Sequence, residues 1–287
     1  METPANRGRL YVVSTPIGNL EDISLRALRI LKEVDLIAAE DTRLTRKLLS
    51  HYKIHTRLES CHEYTHRERL KGLIEKIEHG LSIALVTDAG TPGISDPGYG
   101  LIRLAVENDL LLTPIPGPSA AITALCISGL STDSFSFYGF LPRHSKKRRF
   151  LLNKMSSETN TLVIYESPKR VKDTLQESLL VLGDRNMLLA REMTKTFEEF
   201  IRGKISEVLD ELEGKQIKGE ITLVFEGAEQ GSADSGNNLI ETVRTYLENT
   251  DLKLGAISKT IAEEFNISRS EVYRLALRIQ KEGKRRG

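Results

Sequence analysis

The segment Asp88-Ala89-Gly90-Thr91-Pro92-Gly93-Ile94-Ser95-Asp96-Pro97-Gly98 sets two carboxylates among three glycines and two prolines. It follows Ile83-Ala84-Leu85-Val86, a continuous apolar run of the kind expected in a strand buried on both faces. Open α/β sheets hold small ligands where a strand stops at an acid and a glycine-rich turn. Glycine lets the backbone approach the ligand, and the acid accepts hydrogen bonds from it. An ordinary strand-to-helix connection has the same composition, so this segment alone leaves both readings open. Two similar turns, Thr15-Pro16-Ile17-Gly18-Asn19-Leu20 and Pro116-Gly117-Pro118-Ser119-Ala120, close other strand candidates and can meet the first in one cleft. None of the three carries a nearby lysine to neutralise phosphate. The chain also has no G-x-G-x-x-G, Walker A, G-x-S-x-G or C-x-x-C motif. Backbone groups and an acid suit a ligand with hydroxyls and a positive centre, such as S-adenosylmethionine with its ribose diol and sulfonium.

His62-Glu63-Tyr64-Thr65-His66 matches H-E-x-x-H, the zinc-protease signature, and Cys61 adjoins it. On a helix, His66 would join the inward stripe of Leu70, Ile74 and Ile77, with His62 at its edge. Zinc also needs a third protein ligand and an open fourth position, and no downstream motif offers one. Five-residue patterns recur by chance. The expectation is therefore no metal, with these groups capping a helix or lining a polar pocket.

The elements that must position these turns alternate regularly. Strand candidates 10–14, 36–39, 83–87 and 110–115 are separated by helical patterns. One helix starts at the N-cap Ser24 and another runs to about Tyr52; two more span about 66–79 and 99–107. This alternation implies a largely parallel sheet. A helix at 119–128 opens the second half, where strand candidates 135–140, 161–165, 187–191, 197–201 and 221–225 follow with fewer intervening helices. Further helices are expected near 145–154, 169–182 and 204–213. A mixed sheet is expected there. Gln230 to Asn238 is polar and glycine/serine-containing, as in a linker, and everything beyond it reads helical.

The totals narrow the class. The 287 residues are 39% hydrophobic and 28% charged, as in a globular chain with a substantial core. A net charge of +1 gives no global nucleic-acid signature, so any such signal is local. Two cysteines, Cys61 and Cys126, cannot build a disulfide framework. No apolar run approaches the roughly 20 residues of a membrane span. Met1-Glu2-Thr3-Pro4 lacks the basic start and apolar core of a signal peptide. A cytosolic protein without a membrane partner is expected.

Seven segments then occur in a telling order. They are the two turns at 15–20 and 116–120, Ala39-Glu40-Asp41-Thr42-Arg43, the 88–98 segment, Gly139-Phe140-Leu141-Pro142, Tyr165-Glu166-Ser167-Pro168 and Ala190-Arg191-Glu192-Met193-Thr194-Lys195. From about residue 9 to the C-terminus the chain resembles the bacterial small-subunit ribosomal RNA cytidine 2′-O-methyltransferase family, subunit I type, of the tetrapyrrole-methylase-like superfamily. The resemblance implies two α/β domains holding S-adenosylmethionine in the cleft between them, within a homodimer. It implies an N-terminal domain at 1–116 with a mainly parallel sheet, and a second domain at 117–229 with a mixed sheet. The linker at 230–238 then leads to a small helical domain at 239–287.

Carried over by motif, Pro16 and Gly18 at the first turn meet the cofactor. Asp88, Ala89, Gly90 and Gly93 line it from the central loop, Ser119 and Ala120 from the third, and Tyr165, Gly219 and Glu220 from the second domain. Tetrapyrrole relatives carry G-P-G-D where this chain has Pro16-Ile17-Gly18-Asn19, a departure that fits the RNA branch. A ribose 2′-hydroxyl is a poor nucleophile at neutral pH, so a base, or a cation for the developing alkoxide, should assist. The polar candidates are Glu40, Asp41, Arg43, Glu166, Arg191, Glu192, Lys195 and Glu199. Lys195 and Glu166 are expected near the ribose, and Arg191 and Arg43 on phosphate. For Arg191 and Glu192, structural ion pairs across the domain interface are the alternative.

Two local basic features point to ribosomal RNA, within the small ribosomal subunit. Arg143, Lys146, Lys147, Arg148 and Arg149 put five cations in seven residues. The segment from Ile257 to Ala276 has helix-turn-helix spacing, with a turn at Asn266 and a second helix capped by Ser268 and carrying Arg269 and Arg274. A helical hairpin used for dimer packing reads the same way. Three rivals stay open: a tetrapyrrole methyltransferase of the same fold, a non-catalytic nucleic-acid-binding protein, and a zinc hydrolase.

Overall fold

A computed structural model describes residues 8–62, 65–229, 242–244, 246–247, 252, 254–265 and 267–283. The expected linker at 230–238, Glu63 and Tyr64 of the H-E-x-x-H match, the first residues from Met1, and Asn266 lie outside the described residues.

Five strands, β1 (Arg9–Val13), β2 (Leu36–Ala39), β3 (Leu58–Ser60), β4 (Ile83–Val86) and β5 (Leu111–Ile115), form one sheet in the order β3-β2-β4-β1-β5. Every pairing is parallel. All their C-terminal ends therefore face one edge, and the glycine turns come off that edge. β2 and β4 are buried at every position, as their unbroken apolar runs require. Helices α1 (Leu25–Glu33), α2 (Thr42–His51), α3 (Arg67–Glu78) and α4 (Tyr99–Glu107) connect the strands. Ser24 caps α1 by accepting from the Ala27 N–H at 3.0 Å, and Asp41 caps α2 by accepting from the Arg43 N–H at 2.8 Å. The short strand β3 has no apolar run, only Leu58-Glu59-Ser60, so the sequence pattern did not announce it.

α5 (Ala120–Cys126) leads to the second sheet, built from β6 (Phe135–Phe140), β7 (Thr161–Glu166), β8 (Asn186–Arg191), β9 (Glu199–Lys204) and β10 (Ile221–Phe225). Its order is β6-β7-β10-β8-β9, and only β6 and β7 run parallel. The expected parallel sheet followed by a mixed one is what the chain forms. α6 (Ser145–Met155), α7 (Val171–Leu182) and α8 (Ile205–Glu211) cover one face of this sheet, where Leu152, Leu175, Ile205 and Leu223 are fully buried. α5 covers the other face, with Ala121, Ala124 and Leu125 against Val163, Leu188 and Val224.

Helices α9 (Leu254–Phe265) and α10 (Arg269–Gly283) have their own core of Val243, Ile257, Ile261, Val272 and Ala276. Ser268 caps α10 by accepting from the Glu271 N–H at 3.1 Å. No helix among the described residues is long and apolar enough to cross a membrane.

Candidate active site

The three glycine turns meet, tied by a short ladder. Thr15 and Gly90 exchange backbone hydrogen bonds at 2.8 and 3.0 Å, and the Thr15 hydroxyl donates to the Thr87 carbonyl at 3.0 Å. The Ser14 and Thr91 hydroxyls are 2.9 Å apart, and Thr91 donates on to the Pro118 carbonyl at 3.2 Å. Small hydroxyl residues can make these bonds within a loop without the bulk that would fill the cleft.

The second sheet closes on this knot at two points. The Asn19 N–H donates to Thr194 Oγ1 at 3.0 Å, and the Ala121 N–H donates to the Tyr165 hydroxyl at 3.2 Å. Gly18 is required at the first contact. A Cβ there would sit 2.5 Å from Lys195 Cγ and 2.6 Å from Thr194 Oγ1. Its missing side chain admits the neighbouring turn, whereas the sequence pattern assigned that space to a ligand. Gly219 acts similarly: its φ is +91°, and a Cβ would overlap the Glu192 carboxylate.

Between the sheets lies a cavity of about 280 Å³, near the lower end for small-molecule sites. Ala89, Gly90, Ser119, Ala120, Tyr165, Gly219 and Glu220, all expected there, line it. Pro16, Gly18, Asp88 and Gly93 do not. Pro16 is buried one residue before Ile17, which does line the cavity, and Asp88 Oδ1 turns away to accept from the Asp41 N–H at 3.0 Å. Burial raises the Asp88 carboxyl above its usual range, and the nearby Glu40 and Asp41 charges add to this against the bond from Asp41.

The expected catalytic set is placed differently from the sequence reading. The Glu166 side chain is sealed at 0% exposure, where its carboxylate accepts from the Ser167 N–H, the Thr174 hydroxyl and Arg170 at 2.6–3.1 Å. That carboxylate stitches β7 to α7 instead of facing a ribose. Lys195 Nζ bonds Glu192 at 2.8 Å and Glu220 at 2.9 Å. Burial opposes the charge on Lys195 and on Glu192, yet these bonds prevail, raising the ammonium's pKa and lowering the carboxylate's. Arg191 pairs with Glu199 at 2.8 Å across β8 and β9, so Arg191 and Glu192 are ion-paired as the alternative had it, but inside the second domain and not across the domain interface. These pairs lie within the second sheet.

Asp96 is the residue sequence reasoning passed over. It lines this cavity and also a second one of about 450 Å³ bordered by Cys61, His62 and Tyr99. Burial, reinforced by the charges of Glu40, Asp88 and Glu220, pushes its carboxyl up to about 7. The signal was its place eight residues after Asp88 in the same loop, but only the folded loop brings the acids together. The described residues of the H-E-x-x-H match, His62, Thr65 and His66, all precede α3, which begins at Arg67. Among the described residues no group of three or more His, Cys, Asp or Glu side chains is placed to hold a metal. Burial lifts the Cys61 thiol to about 11, which leaves it without thiolate character.

Of the expected RNA contacts, Arg143, Lys146, Lys147 and Arg149 are exposed. Arg148 is not; at the helix position facing α7 it is 9% exposed and paired with Glu177. Arg43 is exposed and bonded to Asp41 at 2.7 Å, a side-chain bond that lowers the Asp41 carboxyl to about 2. Arg46 and Lys47 stand beside Arg43 on α2, with Ser50 and His51 around a shallow recess. Their spacing at i, i+3 and i+4 was legible as one basic helix face. Arg269 and Arg274 are exposed on α10.

Among the described residues no lysine or arginine lines the first cavity, whereas carboxylates and backbone groups do. Such a wall disfavours phosphate and suits a ligand with apolar surface, hydrogen-bonding groups and positive charge. Residues 9–209 match the family model described as Tetrapyrrole (Corrin/Porphyrin) Methylases. The chain is 52% identical over 222 residues to the Ribosomal RNA small subunit methyltransferase I of Halalkalibacterium halodurans, covering 77% of each chain. It is 43% identical to the protein of that name from Escherichia coli O157:H7, covering 96% of each. Among solved structures it is similar to the methyltransferase CobJ, with TM-score 0.58, 15% identity and coverage of 77% of this chain and 95% of that one. It is also similar to a Thermus thermophilus uroporphyrin-III C-methyltransferase complexed with S-adenosylhomocysteine, with TM-score 0.52, 17% identity and coverage of 76% and 97%. At these identities the structural likeness concerns the fold.

Proposed function

This chain belongs to the tetrapyrrole (corrin/porphyrin) methylase family, and on that premise we propose that it methylates a cytidine ribose 2′-oxygen in small-subunit ribosomal RNA. The observation that carries the substrate is the 43–52% identity, over 77–96% of the chain, with enzymes named for small-subunit ribosomal RNA. The cofactor is S-adenosylmethionine. Its ribose and adenine suit the glycine and hydroxyl groups of the turns, and its sulfonium suits a wall of carboxylates without a cation. Gly90, Ser119, Ala120, Tyr165 and Gly219 are the residues that would hold it. When bound it supplies an electrophilic methyl group, so the protein's task is to align the acceptor oxygen and remove its proton. Alignment alone contributes on the order of 7–11 kcal/mol to such a reaction.

Exposed Arg143, Lys146, Lys147 and Arg149 supply phosphate contacts for an RNA acceptor. A tetrapyrrole acceptor, suggested by the family description, is the alternative, and the relatives' names favour RNA over it. We assign the protein to the cytosol as a homodimer, which light scattering on the purified protein checks.

The test is transfer of tritiated methyl from S-adenosylmethionine to purified small subunits, followed by alkaline hydrolysis of the RNA. A 2′-O-methyl group removes the nucleophile for strand cleavage, so the label should emerge in a dinucleotide. Label in a mononucleotide would place the methyl on a base and overturn the ribose reading.

A further inference from the structure

Two cavities share one residue that carries a proton-exchanging group. Asp96 lines both the cofactor cavity and the neighbouring cavity, which Cys61, His62 and Tyr99 border. Every other carboxylate that touches the cofactor cavity is engaged: Glu166 by Ser167, Arg170 and Thr174, and Glu220 by Lys195. Among the described residues no hydrogen bond or ion pair engages the Asp96 carboxylate. Ser95, immediately before it, holds a left-handed φ of +62°, a conformation a serine adopts at a cost. The loop therefore spends conformational energy to present Asp96 between the two spaces. Tyr99, 66% exposed, stands at the rim of the second cavity and offers a flat face of the kind that unstacked RNA bases settle on.

We propose that the second cavity receives the acceptor nucleotide, stacked on Tyr99, and that Asp96 accepts the proton of the attacking 2′-hydroxyl. The inference rests on the ribose-methylation reading above. The acceptor oxygen forms its bond to the methyl carbon as the carbon–sulfur bond breaks, and sulfur leaves as the neutral thioether. The hydroxyl proton passes to the Asp96 carboxylate and from there to solvent. A sulfonium in the cofactor cavity favours ionised Asp96, and its conversion to a thioether removes that charge as the proton arrives. The groups facing Asp96 are Glu40 from the end of β2, Asp88 from the end of β4, Glu220 ahead of β10 and Tyr165 on β7, with His62 and Tyr99 in the second cavity. Burial, and after it the three acids, oppose ionisation of Asp96, so in the free protein its base form fills in near neutral pH instead of in acid.

The decisive comparison is wild type against Asp96→Asn, with small subunits in single-turnover assays and S-adenosylhomocysteine binding by calorimetry. At saturating S-adenosylmethionine the variant should lose about 10²–10⁴-fold in rate. Its affinity for S-adenosylhomocysteine should stay within about threefold of wild type, which also shows that the variant folds. Wild-type rate should rise with pH to a plateau, with a midpoint below the value of about 7 of the free protein because the bound sulfonium favours the ionised carboxylate, while the variant's profile should be flat. Tyr99→Ala should raise KM for subunits about tenfold, from lost stacking, with kcat retained. Variant activity restored by more S-adenosylmethionine would overturn the proposal, since Asp96 would then only hold the cofactor. Equal rates in wild type and Asp96→Asn would overturn it too, as would an unchanged subunit KM in Tyr99→Ala. A wild type that labels no ribose overturns the substrate reading and the proposal together.

Discussion

The two sheets deliver carboxylates to their junction in opposite states. From the second sheet, Glu166, Glu192, Glu199 and Glu220 are each bonded to a lysine or arginine at 2.8–3.1 Å. From the loops of the first sheet, Asp41 alone pairs with a cation, the exposed Arg43; Glu40 accepts from the Thr87 hydroxyl and the Asp88 N–H, Asp88 from the Asp41 N–H, and Asp96 from no group among the described residues. An acid that fixes geometry has its partner inside the protein, where the pair withstands burial. An acid meant to exchange protons with a substrate has to be left without one, at a cost in stability. The second sheet is therefore the frame, and the parallel edge of the first carries the reactivity.

Removing acids from each side sharpens that contrast. Glu166→Ala should destabilise the protein most, by about 3–5 kcal/mol in urea unfolding, because it removes a fully buried carboxylate and strands half-buried Arg170. Arg148→Ala should cost about 1.5–3 kcal/mol by freeing Glu177. Exposed Arg149→Ala should leave the midpoint unchanged and lower the salt slope of RNA binding by about one; equal behaviour of the two arginines would erase the distinction drawn between them. Asp96→Asn should have the opposite sign, stabilising by about 1–2 kcal/mol at pH 8 after allowing for solvent screening. Its folded pKa of about 7 lies above the ordinary carboxylate value. Wild-type stability is therefore lost as pH rises from about 4 through 7, and the advantage of the variant should vanish toward pH 4. A destabilised Asp96→Asn protein at pH 8 would mean that Asp96 belongs to the frame.

Much of this was legible in the chain. Apolar runs at Leu36–Ala39 and Ile83–Val86 fix strands buried on both faces, and Ser24 and Ser268 start helices where their side chains can cap. The order of strands and helices dictates a parallel sheet, whose turns then share one edge. These properties follow from local sequence because they depend on periodicity and on donors a few residues away. The tertiary structure decided which acid is paired. Glu166 and Asp96 are equally acidic in the sequence, but Arg170 and Thr174 reach the first, while Glu40 and Glu220, from distant parts of the chain, crowd the second. Arg148 and Arg149 likewise differ only by the 100° of rotation between helix neighbours, which turns one toward α7 and the other to solvent. The start of α3 was also decided by folding: it begins at Arg67, so His62 and His66 of the H-E-x-x-H match both precede it. Residue type sets what a side chain can do, and the desolvation and partners that select one action come from chain segments brought together only by folding.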